Sequence, residues 1–559
     1  MKHITTLFLL FITQLLVAQA PSLDWVKSTG GTATDDAGAI STDAAGNIYT
    51  IGRFNGTVDF DPSTATFNLS TNGSRDVFIQ KLSSTGSFIW AKKIEGVGGD
   101  RIYAITTDAS NNLYLTGQFR GTVDFDLGAG VSTLTSTGVD DIFILKLDAN
   151  GDLIWAKNMG QVGSNNGDAI DVDASGNVYV VGSFQGTVDF DPGAGVSNLT
   201  AISGDYDNFF LKLDVNGNFV WAKRMGNASR DVIKTIKVDA SGNLHTTGYF
   251  LGTLDLDPGA GTQNFTAAGA SADTYIQKLD NNGDLIWAKQ LKGSGSYNRP
   301  AKLSLDASGN IYTTGVFAGV MDADPSTAVF NLIPQGTQDV FIHKLNANGD
   351  FIWAKHLEGN TIVDAKSIDV DAQGNVYTVG YFRDSIDLDP NSTVPMATNG
   401  RNDVFIQQLD SMGNFVWGYT MGSTNFDYGE DIHVSTNGDI HVTGYFRDTI
   451  MVHLASGMTT LASQGNNDFF VLKLKSGITT NVTTIAPLNS LLLFPNPTQQ
   501  QLHIEGLEET FQGRVLDATG RVVRTFNSTT ISVEDLATGI YYLQLQTEQH
   551  QYIERFIKS

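Results

Sequence analysis

The chain has 559 residues, no cysteine, and 59 acidic against 35 basic side chains, which gives a formal net charge of −24. The lack of cysteine excludes a disulfide framework and cysteine-based zinc sites. So acidic a chain argues against nucleic acid as a partner, because phosphates require a basic surface.

The first twenty residues have the layout of a secretory signal peptide. A short basic start is followed by an apolar run from Leu7 to Val17, and Ala18-Gln19-Ala20 supplies small residues for cleavage. The run is shorter than the roughly 20 apolar residues that a membrane-spanning helix needs, and we expect no transmembrane segment elsewhere. Because Pro21 is poorly accepted beside a cut, the sequence favours cleavage after Ala18. We assign residues 1–20 to the signal peptide and expect it to be removed on export; a buried N-terminal helix is the alternative.

The rest of the chain is far longer than one ordinary domain, which predicts repeats or several domains. All tryptophans occupy one repeat position, at spacings of 65, 65, 66, 66, 66 and 64 residues. They are Trp25, Trp90, Trp155, Trp221, Trp287, Trp353 and Trp417. A fixed period of this kind is typical of a repeat architecture, here with seven copies over residues 21–475.

The third copy shows the repeat unit most clearly. It contains four short β-rich runs, at residues 169–172, 178–182, 208–213 and 219–223, and a Gly-rich connection between the second and third. Tight Asp, Asn and Gly turns separate the runs and are typical of antiparallel hairpins. Seven four-stranded sheets predict an all-β, seven-bladed β-propeller, in which radial closure leaves only short edges. A right-handed β-helix is the alternative, but it would need parallel strands.

The two ends of the repeat region are complementary. Leu23–Lys27 has the composition of a fourth strand, whereas the last repeat ends on a third strand, Asp468–Leu474. An unpaired Asp468–Leu474 would leave a row of backbone donors and acceptors open. We therefore predict that the two segments pair antiparallel, which would close the last blade with the N-terminal strand and bury Trp25 like the other tryptophans.

A recurrent motif resembles a known family. The Asp-Ala-Ser-Gly-Asn-Val-Tyr unit at 173–179, with Phe190-Asp191-Pro192-Gly193 downstream, resembles the SBBP repeat of exported bacterial β-propellers. The resemblance covers roughly residues 22–475 and implies the propeller fold, in a family mostly without assigned activity. The seventh copy departs from the pattern, because Ser435-Thr436-Asn437-Gly438-Asp439 replaces the usual turn.

The C-terminal residues have a different pattern. A Thr-rich linker at 476–490 precedes residues 491–559, whose short alternating strands predict a small Ig-like β-sandwich. Phe494-Pro495-Asn496-Pro497, the turn from Asp517 to Arg521, Gly539-Ile540-Tyr541 and the Phe556-Ile557-Lys558 end resemble the type A sorting domain of the type IX secretion system. The resemblance implies recognition by that machinery in a Bacteroidota-like bacterium, removal of the domain, and release or attachment at the cell surface. A carbohydrate-binding sandwich is the alternative.

Paired aspartates recur in six repeats and are the candidate metal ligands. They are Asp59 with Asp61, Asp124 with Asp126, Asp189 with Asp191, Asp255 with Asp257, Asp322 with Asp324 and Asp387 with Asp389. Residues two apart on a strand point to the same face, and clustered carboxylates suit calcium. The alternative is an Asx turn in which the carboxylate caps the backbone before a chain reversal. Because a structural device recurs whereas a catalytic pair is needed only once, the sequence favours the turn.

The histidines of the repeats do not indicate a shared site. His245 and His441 occupy the place of a repeat tyrosine, and His343 and His356 lie at variable strand positions. His433, His441 and His453 share the last repeat, but strand alternation does not bring them together by itself. The sequence therefore predicts no catalytic residue.

The repeating polar pattern favours a non-catalytic binding module for an extracellular glycan or protein. The alternatives are a secreted polysaccharide hydrolase or lyase and a purely structural surface component. An enzyme should have non-repeating acidic or basic residues converging at the channel mouth, whereas nearly all polar landmarks here repeat.

Overall fold

A computed structural model describes residues 21–475, except 74, 97, 162, 203–205, 269–270, 296, 390–395 and 455–456, together with residues 492–494, 498–505, 511–516, 522–546 and 551–559. The expected signal peptide, the linker 476–490 and parts of the sorting motifs, Pro495–Pro497 and Asp517–Arg521, lie outside the described residues. The described residues form strands and connections without a helix, which confirms the all-β prediction for them. None of them forms a helix that could cross a membrane. The chain divides into two compact units, Met1–Gly477 and Ile478–Ser559.

The described part of the first unit contains seven antiparallel sheets built on four strands each; four have only these strands, and three are extended to six by a short hairpin of the neighbouring sheet. The inner strands of sheets 1 to 7 are Asp36–Thr42, Arg101–Thr107, Asn166–Val172, Val232–Val238, Tyr297–Leu305, Ile362–Val370 and Tyr428–Val434. The second strands are Ile48–Phe54, Leu113–Phe119, Val178–Phe184, Leu244–Phe250, Ile311–Ala318, Val376–Arg383 and Ile440–Phe446. The third strands are Asp76–Leu82, Asp141–Leu147, Asp207–Leu213, Asp273–Leu279, Asp339–Leu345, Asp403–Leu409 and Asp468–Lys475. The outer strands are Phe88–Ile94, Leu153–Met159, Phe219–Met225, Leu285–Gly293, Phe351–Gly359, Phe415–Met421 and, for sheet 7, Ser22–Gly31.

The turn between inner and second strand explains the recurrent motif. In sheet 3, Asp173 Oδ1 accepts hydrogen bonds from the amides of Ser175 and Asn177, both at 2.9 Å. Asp173 Oδ2 accepts one from the Tyr179 hydroxyl at 3.0 Å. Gly176 has a φ of 80°, which a residue with a side chain rarely adopts. One carboxylate thus fixes the turn and anchors the buried tyrosine.

The connection between second and third strand contains a small hairpin that the sequence did not reveal. In sheet 3, Thr187–Asp189 pairs with Asn198–Thr200. The others are Thr57–Asp59 with Asn68–Ser70, Thr122–Asp124 with Thr133–Thr135, Thr253–Asp255 with Asn264–Thr266, Met321–Asp322 with Asn331–Leu332, Ser385–Asp387 with Met396–Ala397 and Thr449–Leu454 with Gly457–Ala462. The hairpins of sheets 1, 5 and 6 also pair with the outer strand of the preceding sheet, so they link neighbouring sheets.

Neighbouring sheets share apolar cores. The inner strand of each sheet contacts the inner strand of the next, and the inner strand of sheet 7 contacts that of sheet 1. Each apolar cluster of the repeat region combines side chains of two adjacent sheets. In the cluster between sheets 7 and 1, Phe469 stacks on Phe78 with ring centres 4.6 Å apart. Burial between sheets therefore continues from the last repeat to the first.

The N-terminal strand completes sheet 7 as predicted. Ser22–Gly31 pairs antiparallel with Asp468–Lys475, with Trp25 opposite Lys473 and Ser28 opposite Phe470. Trp25 is half-buried. The pairing prediction is thus confirmed.

Five of the seven tryptophans join one sheet to the next through the indole N–H. The indole N–H of Trp25 donates to the Ser84 carbonyl, in the turn before the outer strand of sheet 1, at 3.2 Å. Trp90, Trp155, Trp221 and Trp353 donate in the same way to Ala149, Val215, Asn281 and Ser411. Trp417 donates instead to the Gln408 side chain, because sheet 7 has no turn between its third and outer strands. Lys473 also donates to the Ser84 carbonyl, at 3.0 Å.

The described part of the second unit contains two small sheets over one core. One sheet contains Leu492–Phe494, Gln501–Glu505 and Thr530–Ser532, and the other Val522–Phe526, Gln512–Leu516, Gly539–Gln546 and Gln551–Lys558. Side chains of both sheets, among them Leu502, Val515, Ile531 and Leu543, form a single apolar cluster.

Candidate functional site

Every inner strand carries a β-bulge at the same repeat position. The bulge leaves one residue without a partner on the second strand and re-aims its side chain. We name these residues the bulge layer: Gly38, Tyr103, Asp168, Lys234, Ala301, Lys366 and Glu430. All of them line one cavity of about 360 Å³, the central cavity, to which every inner strand contributes.

Two further layers follow along the inner strands. The first is apolar and nearly uniform: Ile40, Ile105, Ile170, Ile236, Leu303, Ile368 and Ile432. The next position forms a polar layer of Ser41, Thr106, Asp171, Lys237, Ser304, Asp369 and His433. The backbone of the cavity therefore repeats, whereas the chemistry of the bulge and polar layers differs from sheet to sheet.

Asp431 is a buried junction between inner strands. Its Oδ1 accepts a hydrogen bond from Ser367 Oγ at 2.6 Å and forms an ion pair with Lys302. Its Oδ2 accepts one from the Ile40 amide at 3.0 Å. Because these contacts join sheet 7 to sheets 5, 6 and 1, Asp431 has a structural role.

Opposite charges meet in the polar layer. His433 Nδ1 lies 3.3 Å from Asp369 Oδ2. Burial raises the pKa of Asp369, but the hydrogen bond and charge of His433, with the charge of Lys237, outweigh it and lower that pKa. Burial lowers the pKa of Lys237, but the charges of Asp171, Asp369 and Asp431 outweigh it and raise that pKa. This layer is therefore a self-compensated charge network.

The bulge layer is less well compensated. Burial raises the pKa of Asp168 to about 7, although Lys234 and the Ser183 hydroxyl lower it. Burial also raises the pKa of Glu430 to about 7, against the charge of Lys366. Two carboxyl groups on different sheets thus titrate near neutral pH beside two lysines.

Aromatic rings adjoin this layer on sheets 6 and 7. The Lys366 ammonium lies 5.2 Å from the centre of the Tyr381 ring. The Tyr381 ring packs on Tyr428 at 4.6 Å, and Tyr428 packs on Tyr445 at 4.9 Å. All three tyrosines are only half-buried. They offer aromatic surface next to a cation that lines the central cavity.

The paired aspartates, which the sequence analysis put forward as calcium ligands, lie in the small hairpins. In sheet 1, Asp59 Oδ1 accepts the amides of Asp61 at 3.1 Å and Phe67 at 2.7 Å, and Asp61 Oδ1 accepts the Ser63 amide at 2.9 Å. The same contacts recur at Asp124 and Asp126, at Asp189 and Asp191, at Asp255 and Asp257, and at Asp322 and Asp324. In sheet 6, Asp387 accepts the Asp389 amide at 3.0 Å.

This arrangement differs from the clustered ligands that calcium would need. Asp126 Oδ1 accepts the Gly128 amide at 2.9 Å, and Asp257 Oδ1 accepts the Gly259 amide at 2.8 Å, so both carboxylates cap their own loops. Neither Asp126 nor Asp257 lines the central cavity. No described residues form a group of three or more His, Cys, Asp or Glu that could hold a metal ion. The contacts fit the turn interpretation, and calcium at these pairs stays a prediction.

The histidines outside the cavity have structural roles. His245 takes the place of the turn tyrosine, with Nε2 3.2 Å from Asp239 Oδ2, and burial lowers its pKa to about 4. His343 Nε2 contacts the Ala323 carbonyl at 2.8 Å. Gln277, at the same position of the preceding sheet, makes the equivalent contact with the Leu256 carbonyl. His441 lies opposite His433 and is buried. His433 alone among the four lines the central cavity.

The residues that carry most of the site's chemistry were not predicted from the sequence. Asp168, Lys234, Lys366 and Glu430 share one repeat position at which the copies differ, and that variation was the available signal. Non-repeating acidic and basic residues that converge in the cavity were expected of an enzyme, and these four residues have that arrangement.

Two curated relatives share low identity with this chain. An uncharacterized WD repeat-containing protein of Acanthamoeba polyphaga mimivirus is 22% identical over 457 residues, which cover 68% of this chain and 32% of that protein. The regulatory protein FlaEY of Caulobacter vibrioides is 22% identical over 564 residues, which cover 91% and 56%. The chain thus spans about a third and just over half of the lengths of these relatives.

Solved structures with distant similarity include PorZ, a surface component of the type IX secretion system of Porphyromonas gingivalis. That likeness has 12% identity and a TM-score of 0.17 and covers 95% of this chain and 99% of PorZ. Sqt1 from Chaetomium thermophilum has 10% identity and a TM-score of 0.32, with coverage of 82% and 100%.

The C-terminal residues match a defined family. Residues 492–559 match the secretion system C-terminal sorting domain. The match confirms the resemblance carried by the Phe-Pro-Asn-Pro start and the Phe-Ile-Lys end, whereas the SBBP interpretation of the repeats stays a prediction. The chain therefore carries a C-terminal sorting domain of type IX secretion, which directs it to the cell surface or the medium.

Proposed function

We propose that residues 21–475 form a closed seven-bladed β-propeller that binds an extracellular glycan or protein at the bulge layer of its central cavity. The observation that carries this proposal is the contrast between the layers of the cavity. The apolar layer repeats almost unchanged, whereas the bulge layer presents glycine, tyrosine, aspartate, alanine, glutamate and two lysines. Residues that only stabilise the fold are expected to recur in every repeat, as the turn aspartates and the tryptophans do.

The energetics support a binding role for the bulge layer. Charged groups lose solvation in a confined cavity, and that loss destabilises the fold unless partners compensate it. Asp431 and Asp369 have such partners, whereas Asp168 and Glu430 retain pKa values raised to about 7. A concave site with a few convergent polar groups and perturbed pKa values is the usual form of a ligand site.

The same two carboxyl groups support a second candidate function, a polysaccharide hydrolase or lyase. A carboxyl group that titrates near pH 7 can act as a general acid or base at neutral pH. Release of reducing ends or unsaturated products by the wild type, and its loss in Asp168→Asn and Glu430→Gln, would favour catalysis over simple binding.

The proposal includes the domain organisation and route of export. Residues 1–20 are the signal peptide, 476–490 the linker, and 491–559 an Ig-like sorting sandwich that is removed during export. The match of residues 492–559 supports this route. A chain truncated before residue 486 should fold but stay inside the outer membrane; normal amounts at the surface or in the medium would contradict the sorting role.

The binding site is tested with a glycan and protein array. The variant Lys234→Ala/Lys366→Ala removes both cavity lysines, and Lys157→Ala/Lys289→Ala removes the same charge from outer strands. We expect the cavity variant to lose the signal of the best ligand by at least about tenfold, because charge-assisted contacts are among the strongest polar interactions. The control variant should retain it. An equal loss in both variants, or no loss in either, would place the ligand elsewhere.

A further inference from the structure

The arginines of the repeat region all lie at one end of the sheets. Residues 21–475 contain ten: Arg53, Arg75, Arg101, Arg120, Arg224, Arg230, Arg299, Arg383, Arg401 and Arg447. Each lies where an inner or third strand begins or where a second or outer strand ends, which is the same end of an antiparallel sheet. The opposite end carries the aspartate turns. The third strands also begin on aspartates at this end, so it carries both charges, and the feature that sets it apart is the concentration of arginines. The bulge layer lies toward this end.

Two groups of like charges adjoin the central cavity at this end. Burial lowers the pKa of Arg53, and the charges of Arg101 and Arg75 lower it further. Of these three, Arg75 has a carboxylate partner, Asp36, at 2.8 Å. The charge of Asp36 acts in the opposite direction on Arg53, so the mutual repulsion of these arginines is partly compensated within the protein.

The second group surrounds Lys234. Burial lowers the pKa of Lys234, and although Asp168 opposes this, the charges of Lys366, Arg230 and Arg299 lower it further. Lys366 pairs with Asp364 at 3.3 Å. Among the described residues, Lys234, Arg230 and Arg299 form no ion pair with a carboxylate. Asp168 and Glu430 lie near these cations, but three of the four cations of this group form no direct ion pair among the described residues.

Aromatic faces lie within this second group. The Arg299 guanidinium lies 4.9 Å from the centre of the Tyr249 ring and 5.0 Å from that of Tyr297, and Tyr297 is 41% exposed. Lys366 lies over Tyr381, which begins the row of tyrosines on sheets 6 and 7. Half-exposed rings stack on the apolar faces of sugar rings, and guanidinium groups beside them bind planar anions in bidentate fashion.

We infer that the arginine end binds an acidic polysaccharide, with sugar rings on the tyrosines and carboxylate or sulfate groups on the cations of the bulge layer. This inference rests on the proposed binding function and names its ligand class. An acidic peptide would use the cations but would leave the row of tyrosines without a stacking partner. A neutral glycan would use the rings but would leave the like charges uncompensated.

The test is titration calorimetry of the full mature chain with four polymers. Polygalacturonate supplies carboxylates, dextran sulfate supplies sulfates, dextran is neutral, and polyglutamate is an acidic peptide. We expect one of the acidic polysaccharides to bind, and Arg299→Gln and Lys234→Ala/Lys366→Ala to weaken it by at least about tenfold. The control Lys157→Ala/Lys289→Ala should bind normally, and higher salt should weaken binding. Unchanged melting temperatures of the variants would show that they fold.

Each other outcome overturns the inference in a recognisable way. Equal binding of polyglutamate, with the same sensitivity to the cavity variants, would make the ligand an acidic peptide. If dextran binds as tightly as the acidic polysaccharides, and Arg299→Gln does not weaken its binding, the ligand need not be anionic. If none of the polymers binds but an array ligand depends on Lys234 and Lys366, the proposed function stands and the inference fails. If no array ligand depends on them either, both fail.

Discussion

Aspartate has two opposite electrostatic roles in this protein, depending on its place in the repeat. Although burial raises the pKa of Asp173, hydrogen bonds from Asn177, Tyr179 and Ser175 outweigh it and lower that pKa below 3.8. At the start of the third strand, burial raises the pKa of Asp403 to about 6, although the Asn399 amide lowers it. The turn aspartate thus stabilises the fold as an anion, whereas the strand aspartate stabilises it when protonated.

This difference predicts opposite pH effects for two Asn variants. A folded pKa of about 6 for Asp403, against 3.8 unfolded, means that wild-type stability falls as the pH rises from about 4 to 6. Asp403→Asn should therefore gain about 2 kcal/mol relative to the wild type over that interval. Asp173→Asn should instead lose stability relative to the wild type as the pH rises through its depressed pKa toward 3.8. Denaturant unfolding between pH 3 and 7 measures both; parallel curves for the two variants would refute the assignment.

Asp168 is the cavity residue that was hardest to predict from the sequence. The repeat pattern predicted a strand from residue 169, because the alternation of side chains is regular from there. The inner strand begins at Asn166, and a bulge between Gly167 and Ala169 leaves Asp168 unpaired. An extra residue in a strand shifts the alternation, so a period of two cannot show which side chain enters the cavity.

At the scale of the element, the small hairpins explain why the aspartate pairs recur. The first aspartate of a pair binds the amides two and eight residues later, which closes the loop between the short strands. Each of these strands has only two to six residues, too few to hold a hairpin by pairing alone. The aspartate pairs are visible in the sequence but the hairpins are not, because strands of two to six residues are too short to show a clear alternation.

The loop-capping role predicts little response to calcium. The melting temperature should agree within about 1 °C in millimolar calcium and in chelator, whereas a site filled at a hundred times its Kd would add about 2.7 kcal/mol. Asp189→Ala should lower stability by about 1 kcal/mol in both solutions, because two half-buried amides lose their acceptor. Calorimetry with and without chelator checks this. A rise in melting temperature with calcium, abolished by Asp189→Ala, would establish the cation site.

For the whole molecule, the contacts between sheets 7 and 1 were the most accurate part of the sequence prediction. Trp25 contacts Ser84 as Trp90 contacts Ala149, so the N-terminal strand makes the junction that the other outer strands make. The near-constant spacing of the tryptophans and the break in the repeat between third and fourth strands predicted it, because each tryptophan marks an outer strand. The cavity chemistry was not predictable, because it arises where seven distant strands meet.

Deleting residues 21–28 should destabilise every repeat together. The third strand of sheet 7 would keep its second-strand partner but lose its outer-strand partner, and Phe469 and Phe470 would become more exposed. At about 1 kcal/mol per hydrogen bond, we expect the free energy of unfolding to fall by roughly 5 kcal/mol. Thermal unfolding of the deletion should give one transition at a lower temperature, and a peptide of residues 21–31 added in trans should restore part of it. Trp25→Phe is the mild control. An unchanged transition would show that the strand is dispensable.

The pairing of Ser22–Gly31 with Asp468–Lys475 also sets an order of events during export. On the proposed export route, in which the signal peptide leads the chain across the inner membrane, the outer strand of sheet 7 arrives before any other part of that sheet. This strand finds its partner only after the final repeat has emerged, so the contacts that join the two ends have the longest sequence separation in the repeat region and form last. Until then the partly exported molecule has two open apolar edges, one at each end of its growing arc of sheets. Its greatest exposure to periplasmic proteases and to aggregation therefore falls in the interval before translocation is complete.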